Sequence, residues 1–324
     1  MDFRTELTPK HSRKINLKDP ILTLGSCFSQ SIGKKFTDFK FQTSINPFGT
    51  TYHPYAIHKL LSLAAKQKSP DQDTFLVNND THYNYDFHSA IHGTSLPSLK
   101  ENIHSIITSA HQYLKSCSVI ILTYGTAWSY KRTDNGNPVA NCHKMPSHLF
   151  NKELIDSNDI CISFKETYEI LKNINPSLRI ILTVSPVRHV NDTLELNSVS
   201  KSILRVACHR LSTENRDVEY FPAFEIMMDD LRDYRFYKSD LIHPTETAEN
   251  YIWEKFIESY FDEPTKNFLD QWSQIQKAIH HRPFLPAGSA HQKFLHQTLS
   301  KLEELKLFTN VDVEISHLKS QITS

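Results

Sequence analysis

Residues 20–36 read PILTLGSCFSQSIGKKF, and the change of pattern inside this stretch decides the fold. Pro20–Leu24 is a short apolar run of strand type. A glycine and Ser26 follow, and then Phe28, Ile32 and Phe36 recur at the spacing of one helical face, predicting a helix over Phe28–Phe39. A strand that passes through one tight turn into a helix is the opening unit of an α/β sheet. Working outward, the runs Val119–Tyr124 (VIILTY), Arg179–Val184 (RIILTV) and Val218–Phe221 (VEYF) read as further strands. The unbroken apolar character of the middle two suits parallel strands buried on both faces. Helical spacing fills the intervals at Pro54–Gln67, Leu99–Ser116, Phe164–Asn173, Leu194–Leu211 and Glu246–Tyr260. The alternation implies crossover connections and a parallel sheet covered on both sides.

In such sheets ligands bind beyond the carboxyl ends of the strands. That rule selects Gly25-Ser26-Cys27, Gly125-Thr126 and Ser185-Pro186-Val187-Arg188-His189. Two polar stretches, 67–80 and 131–150, read as inserted loops, and no internal repeat or low-complexity tract occurs. After Phe261 the pattern becomes helical only, with segments around Lys266–His280 and Gln292–Leu305. The expected organisation is a main domain over 1–261 and a C-terminal helical extension over 262–324. The spaced Phe294, Leu295, Leu299, Leu302 and Leu305 could cover the main domain or a second copy of the chain.

The 324 residues hold 36 Lys plus Arg and 36 Asp plus Glu, so the formal charge is zero and no global attraction to nucleic acid or to an anionic membrane is expected. Hydrophobic residues at 39% and aromatics at 11% exclude an intrinsically disordered chain. The polar start MDFRTELTPKHSRKINLKD lacks the apolar run of a secretory leader, and no apolar stretch of about 18 residues occurs; a cytoplasmic location is expected. Five cysteines with no CxxC pair argue against a disulfide framework or a zinc ribbon, and read as reduced thiols. Eighteen histidines direct attention to acid/base and metal chemistry without deciding for either.

Ser26 stands where a strand meets a helix N-terminus, with unpaired backbone N–H groups and the positive end of the helix dipole nearby. It reads either as a nucleophile or as a plain N-cap. Asp240 and His243 lie three apart on a turn ahead of the helix at Glu246. This spacing can set the carboxylate on one imidazole nitrogen and leave the other to take a proton from a serine; the rival reading has Asp240 capping the turn and His243 partly buried. Cys27 offers a rival thiol nucleophile at a helix N-terminus, against a small thiol turned into the core. Cys142, His143, His53, His88 and His92 carry metal-ligand chemistry, but their spacings match no metal pattern.

A serine on the first strand–helix junction combined with D-x-x-H before the last helix of an α/β chain resembles the SGNH/GDSL hydrolases. The resemblance is closer to one branch, the GSCFA family: residues 25–29 read GSCFS, and NPFGT (46–50), YDFHS (85–89), LTYGTAW (122–128), NCHK (141–144), TVSPVRH (183–189), YFPAFEIMMDDLRDYRFY (220–237) and DLIHP (240–244) follow in order over roughly residues 20–260. The resemblance implies a flavodoxin-like three-layer α/β/α sandwich with a parallel sheet, of the SGNH hydrolase type, and an esterase or acyl-hydrolase activity. Under it Ser26 is the nucleophile, His243 the general base and later acid, and Asp240 the orienting carboxylate. The Ser26 and Gly49 N–H groups would form the oxyanion hole. The chain departs from the wider superfamily at two places: the G-x-N-D block reads Gly125-Thr126-Ala127-Trp128, and Cys27 replaces the Asp of G-D-S. Thr126 or Asn46 is then the candidate substitute for the missing amide donor. His143 and His88, in family-like blocks on predicted loops, are candidates for substrate contact or for loop hydrogen bonds. Arg188 and His189 could meet an anionic or sugar group, or Arg188 could serve as a structural ion-pair partner. The run 220–237 is expected to pack the last strand and deliver the Asp240–His243 loop.

The expected activity is hydrolysis of an ester or O-acyl bond of a small molecule or carbohydrate, with no metal, no cofactor and no nucleic-acid or membrane partner; the C-terminal helices are expected to pack on their own domain, with a homo-oligomer through them as the alternative. The competing class is a binding or scaffold module that keeps this fold with little turnover.

Overall fold

The computed structural model describes residues 7, 13–281, 283–285 and 288–322, with only the backbone of residue 192. Strand β1 (Ile21–Gly25) runs into α1 (Cys27–Asp38) and β2 (Thr43–Ile45). Helix α2 (Pro54–Ala65), a hairpin of β3 (Phe75–Asn78) and β4 (Thr81–Asn84), and α3 (Leu96–Ser116) lead to β5 (Val119–Tyr124). A small antiparallel sheet of β6 (Trp128–Arg132), β7 (Pro138–Val139) and β8 (Phe150–Leu154) precedes α4 (Ser157–Ile174), β9 (Arg179–Val184), α5 (Leu194–Glu214) and β10 (Val218–Tyr220). A short α6 (Ala223–Glu225) continues into a π-helical turn at Ile226–Leu231. Helices α7 (Glu246–Tyr260), α8 (Glu263–Ile279), α9 (Ser289–Leu305) and α10 (Asp312–Lys319) follow.

The central sheet has the order β10-β9-β5-β1-β2 with every pair parallel. From β1 the chain crosses to one side for β2 and to the other for β5, so the topological switch point lies between β1 and β5. In open α/β sheets the ligand crevice lies at that point, beyond the carboxyl ends. The strand faces explain the apolar runs: Ile120, Leu122 and Tyr124 enter one core with α2, α3, α4 and α5, while Val119 and Ile121 enter another with α1 and α7. Both faces are buried, so no polar alternation survives in the sequence.

Phe36 shows what fixes α1. It is fully buried and meets Phe41, Trp253, Phe256 and Phe261 at ring-centroid distances of 5.3, 4.8, 5.5 and 6.2 Å. The same core continues into α8, α9 and α10: Leu295, Leu302 and Leu305 are buried within the chain, and the Trp272 indole N–H donates to the Asp38 carbonyl at 2.7 Å. Among the described residues no helix is long and apolar enough to cross a membrane.

The strands at 119–124 and 179–184 and the helix at 246–260 stand where the patterns put them. Helix α4 starts at Ser157, ahead of the expected Phe164, because its first turn is polar and capped by the Asp156 side chain. The edge strand β2, the hairpin inside 67–84, the three-stranded sheet at 128–154 and α10 are additions to the expected elements.

Candidate active site

At the end of β1, Gly25 has φ +144°, and a Cβ on it would lie 2.2 Å from the Thr123 carbonyl oxygen of β5. Only glycine lets β1 turn this close to its neighbour. Ser26 comes next, with its N–H donating to the Thr123 carbonyl at 3.2 Å and its carbonyl accepting from Ser29 N–H at 2.8 Å. It occupies the N-cap position of α1, yet its side chain makes no capping bond. Its Oγ is buried and has no hydrogen-bond partner among the described residues. Leaving a buried hydroxyl unpaired costs about 1–3 kcal/mol, and the Ser26 side chain does not offset that cost by capping α1.

The second half of the site is a loop between β10 and α7. Leu241 adopts a left-handed φ of +57°, which folds the chain back so that Lys238 N–H donates to the His243 carbonyl at 2.8 Å. Inside this turn Asp240 Oδ1 accepts from the backbone N–H of Ile242 (2.9 Å) and His243 (3.0 Å), and Oδ2 accepts from His243 Nδ1 at 2.7 Å. These bonds, the His243 amide first, hold the Asp240 carboxyl well below the usual carboxylate range. An ionised Asp240 keeps the proton on Nδ1 and leaves Nε2 as the acceptor. One carboxylate thus both caps the turn and orients the ring.

Arg188 secures the loop from β9. Its N–H donates to the Ile242 carbonyl (3.2 Å) and its guanidinium to the Leu241 carbonyl (3.3 Å), stacked over Tyr237 at 3.9 Å and Tyr234 at 5.1 Å. It clamps this loop through carbonyl and aromatic contacts, with no ion-pair partner among the described residues. The residues Cys27, Thr126, Arg188, His189 and His243 line one cleft of about 640 Å³, with Trp128 and Tyr130 of the inserted sheet among its other walls. Ser26 lies just beneath, between Cys27 and the Gly125 backbone. Its hydroxyl and His243 Nε2 do not hydrogen-bond to each other in this structure.

Several expected roles are revised. The Gly49 N–H donates to the Asn46 carbonyl at 2.8 Å, so both amides expected to form an oxyanion hole are engaged within the protein. Asn46 turns its side chain onto the β1–α1 turn, accepting from Gly25 N–H at 2.9 Å and donating to Gln30 at 3.4 Å. The Thr126 hydroxyl lines the cleft but accepts from Trp128 N–H and pairs with Ser200 Oγ, both at 3.1 Å. His143 is buried, bonded to the Asn84 carbonyl at 2.8 Å and stacked on Tyr83. It ties the inserted loop to the β3–β4 hairpin, and burial pushes its pKa down. His88 packs over Gly49 and accepts from Ala90 N–H at 3.2 Å. Neither histidine lines the cleft. Cys27, expected in the core, faces the cleft instead, with Sγ 3.6 Å from Tyr52 Oη. His53 bonds to the Val139 carbonyl at 2.9 Å, and among the described residues no three His, Cys, Asp or Glu side chains converge as a metal site.

Pattern reading missed a polar stripe on the buried face of α5. Asn197 Oδ1 accepts from His189 N–H at 2.9 Å, Ser200 Oγ from Ala127 N–H at 2.7 Å, and the Lys201 ammonium donates to the carbonyls of Gly125 and Ser185, each at 2.7 Å. The available signal was three polar residues within the helical stripe that also carries Leu204, Ala207, Cys208 and Leu211.

Residues 20–256 match the model described as GSCFA family, and residues 272–324 that described as GSCFA domain protein, C-terminal domain. The chain belongs to the GSCFA family. In this GSCFA chain the motif residues 25–29 are the β1–α1 turn itself, with Ser29 where the motif has alanine. No curated protein matches the sequence. Similar solved structures include a Streptococcus pneumonia protein described as a platelet activating factor (12% identity, 78% of this chain and 84% of that chain covered, TM-score 0.39). Another is a carbohydrate esterase family 3 protein from Talaromyces cellulolyticus (7% identity, 79% and 99% covered, TM-score 0.35).

Proposed function

We propose that this GSCFA protein is a serine esterase of the SGNH type, hydrolysing an ester or O-acyl bond of a small molecule or carbohydrate through Ser26, His243 and Asp240. The observation that carries this reading is the Ser26 hydroxyl: it is buried, caps nothing and has no hydrogen-bond partner among the described residues, beside a cleft lined by a histidine whose tautomer an ionised carboxylate fixes. A serine hydroxyl is a weak nucleophile and needs such a base. On substrate binding His243 Nε2 takes the Ser26 proton as Oγ attacks the acyl carbon. The tetrahedral oxyanion collapses as His243 returns the proton to the leaving alcohol, and water attacks the acyl-enzyme by the same sequence to release the acid. With the Ser26, Gly49 and Ser29 amides engaged, the Cys27 and Phe28 N–H groups at the start of α1, which helix geometry leaves without intrahelical acceptors, and the α1 dipole are the proposed oxyanion stabilisers.

The cleft volume suits a small molecule, and the aromatic faces of Trp128 and Tyr130 with the Lys152 ammonium 4.9 Å from the Trp128 ring suit a sugar half. Five free thiols fit the reducing cytoplasm. The engaged amides favour one competing reading, a binding or scaffold module. Hydrolysis of p-nitrophenyl esters from acetyl to octanoyl, by wild type and Ser26→Ala, decides between them. Turnover abolished by the substitution is expected. Activity surviving in Ser26→Ala refutes the serine mechanism and points to Cys27, and absence of turnover on these and on O-acetyl sugars favours the binding module.

A further inference from the structure

The residue that ties the two halves of the site together is a buried lysine. Strands β5 and β9 pair up to Tyr124 and Val184, and the last ladder bond runs from Ser185 N–H to the Tyr124 carbonyl at 2.8 Å. Beyond it the chains diverge into the cleft loops, and the Gly125 N–H turns to the Tyr52 carbonyl at 2.7 Å. The Lys201 ammonium holds the Gly125 and Ser185 carbonyls at that point of divergence. Each carbonyl leads to a different catalytic group. A Cβ on Gly125 would lie 3.3 Å from Ser26 Cβ, so the Gly125 backbone is the surface against which the serine rests. Ser185 opens the loop that carries Arg188, whose bonds to Leu241 and Ile242 hold the turn of His243.

We propose that Lys201 is a positioning residue that sets the placement of Ser26 relative to His243, by clamping the two diverging strand ends from the buried face of α5. The inference rests on the serine-esterase reading. Lys201 is 1% exposed, and among the described residues its ammonium is held by the two backbone carbonyls with no ion pair to a carboxylate. Desolvation pushes its pKa down to about 7. An uncompensated buried ammonium is unfavourable for folding. A clamp needed only for stability would be better made by a neutral side chain, whereas two divergent carbonyls spaced along a floor need a donor that reaches both. Asn197 and Ser200, on the same face, hold His189 N–H and Ala127 N–H and so extend the clamp into both loops.

The test compares Lys201→Met and Ser200→Ala with wild type and Ser26→Ala on p-nitrophenyl acetate, together with the rate at which a fluorophosphonate labels Ser26. Misplacement of reacting groups by about 1 Å costs about 10²-fold. The expected result for Lys201→Met is a kcat loss of about 10–100-fold with KM within about threefold of wild type, slower Ser26 labelling, and a melting temperature not lowered in proportion. Ser200→Ala, which keeps the charge, is expected to show the same split at a smaller loss of about 3–10-fold. A folded Lys201→Met with wild-type kcat and labelling rate overturns the proposal, as does a change confined to KM. Should Lys201→Met fail to fold, a Ser200→Ala with unchanged kcat and labelling overturns it. Wild-type hydrolysis that survives Ser26→Ala refutes instead the serine reading on which the inference stands.

Discussion

Replacing Asp240 with asparagine tests the proposed mechanism at the point where the geometry is most explicit. In the folded protein Oδ1 accepts two backbone N–H bonds, at 2.9 and 3.0 Å, and Oδ2 faces His243 Nδ1 at 2.7 Å. Asparagine keeps the turn, because its carbonyl oxygen can still accept from Ile242 and His243. Its amide then presents N–H to Nδ1, which must become an acceptor, so the ring proton moves to Nε2. A histidine in that tautomer cannot take a proton from Ser26. The wrong tautomer in a Ser-His-Asp arrangement lowers kcat by about 10⁴, equivalent to about 5.4 kcal/mol of transition-state stabilisation. Stability should barely change, since Asp240 and His243 side chains are 44% and 38% exposed and exposed pairs contribute little. The assay is kcat for a p-nitrophenyl ester at equal folded concentration, with imidazole nitrogen chemical shifts reporting the tautomer. An Asp240→Asn protein that retains more than a tenth of wild-type kcat while its imidazole proton sits on Nε2 would refute the assignment of His243 as base.

Gly25→Ala would set a Cβ 2.2 Å from the Thr123 carbonyl at a positive φ, so a loss of about 2 kcal/mol or more is expected in urea denaturation; a loss under about 0.5 kcal/mol would contradict the close approach. Phe36→Ala removes the ring shared by Phe41, Trp253, Phe256 and Phe261, with an expected cost of about 3–5 kcal/mol; a cost below about 1.5 kcal/mol would show that α1 is not anchored there. Stability should fall as pH falls below 6.5, because burial lowers the pKa of His53 to about 4 and of His58 to about 3 while the unfolded chain protonates near 6.5. The slope approaches about 1.4 kcal/mol per pH unit for each group once the unfolded imidazole is mostly protonated, so going from pH 6.5 to 5 removes about 3 kcal/mol for the two together; equal stability at both pH values would rule out neutral buried imidazoles. On the alkaline side Lys201, with its pKa lowered from 10.5 to about 7, leaves the unfolded chain binding the extra proton. Stability should therefore rise by about 2 kcal/mol between pH 7 and 8.5, until deprotonation of the unfolded thiols, held protonated by burial at Cys117 and Cys208, reverses the trend. The same rise in Lys201→Met would show that another group produces it.

What the sequence disclosed and what it concealed divide along a physical line. The central strands were legible because burial on both faces leaves an apolar run that nothing else in a short segment produces, and the β1–α1 turn because the period changes across one glycine. Edge strand β2 has three half-buried residues, and the hairpin at 75–84 and the sheet at 128–154 owe their form to pairing with distant segments, as when Trp128 of β6 faces Leu154 of β8. No local pattern records such pairing. In the site, the Asp240–His243 pair was legible because a three-residue turn fixes it locally. The roles of Asn46, His143, His88 and Arg188 were not, because each depends on where a side chain points after long-range packing: Asn46 turns toward Gly25 and His143 toward Asn84. Lys201 was hidden for the opposite reason. Helical periodicity assigns charged residues to solvent, and a lysine inside the buried stripe reads as noise until its two carbonyl partners are seen. A polar residue that breaks a buried stripe is retained against a folding cost, and here the three that do so, Asn197, Ser200 and Lys201, all bind the loops that wall one cleft. The violation of the amphipathic pattern therefore marks the end of the sheet at which the cleft lies, and the same reading applied to α5 would have pointed to the carboxyl edges of β5 and β9 without any motif.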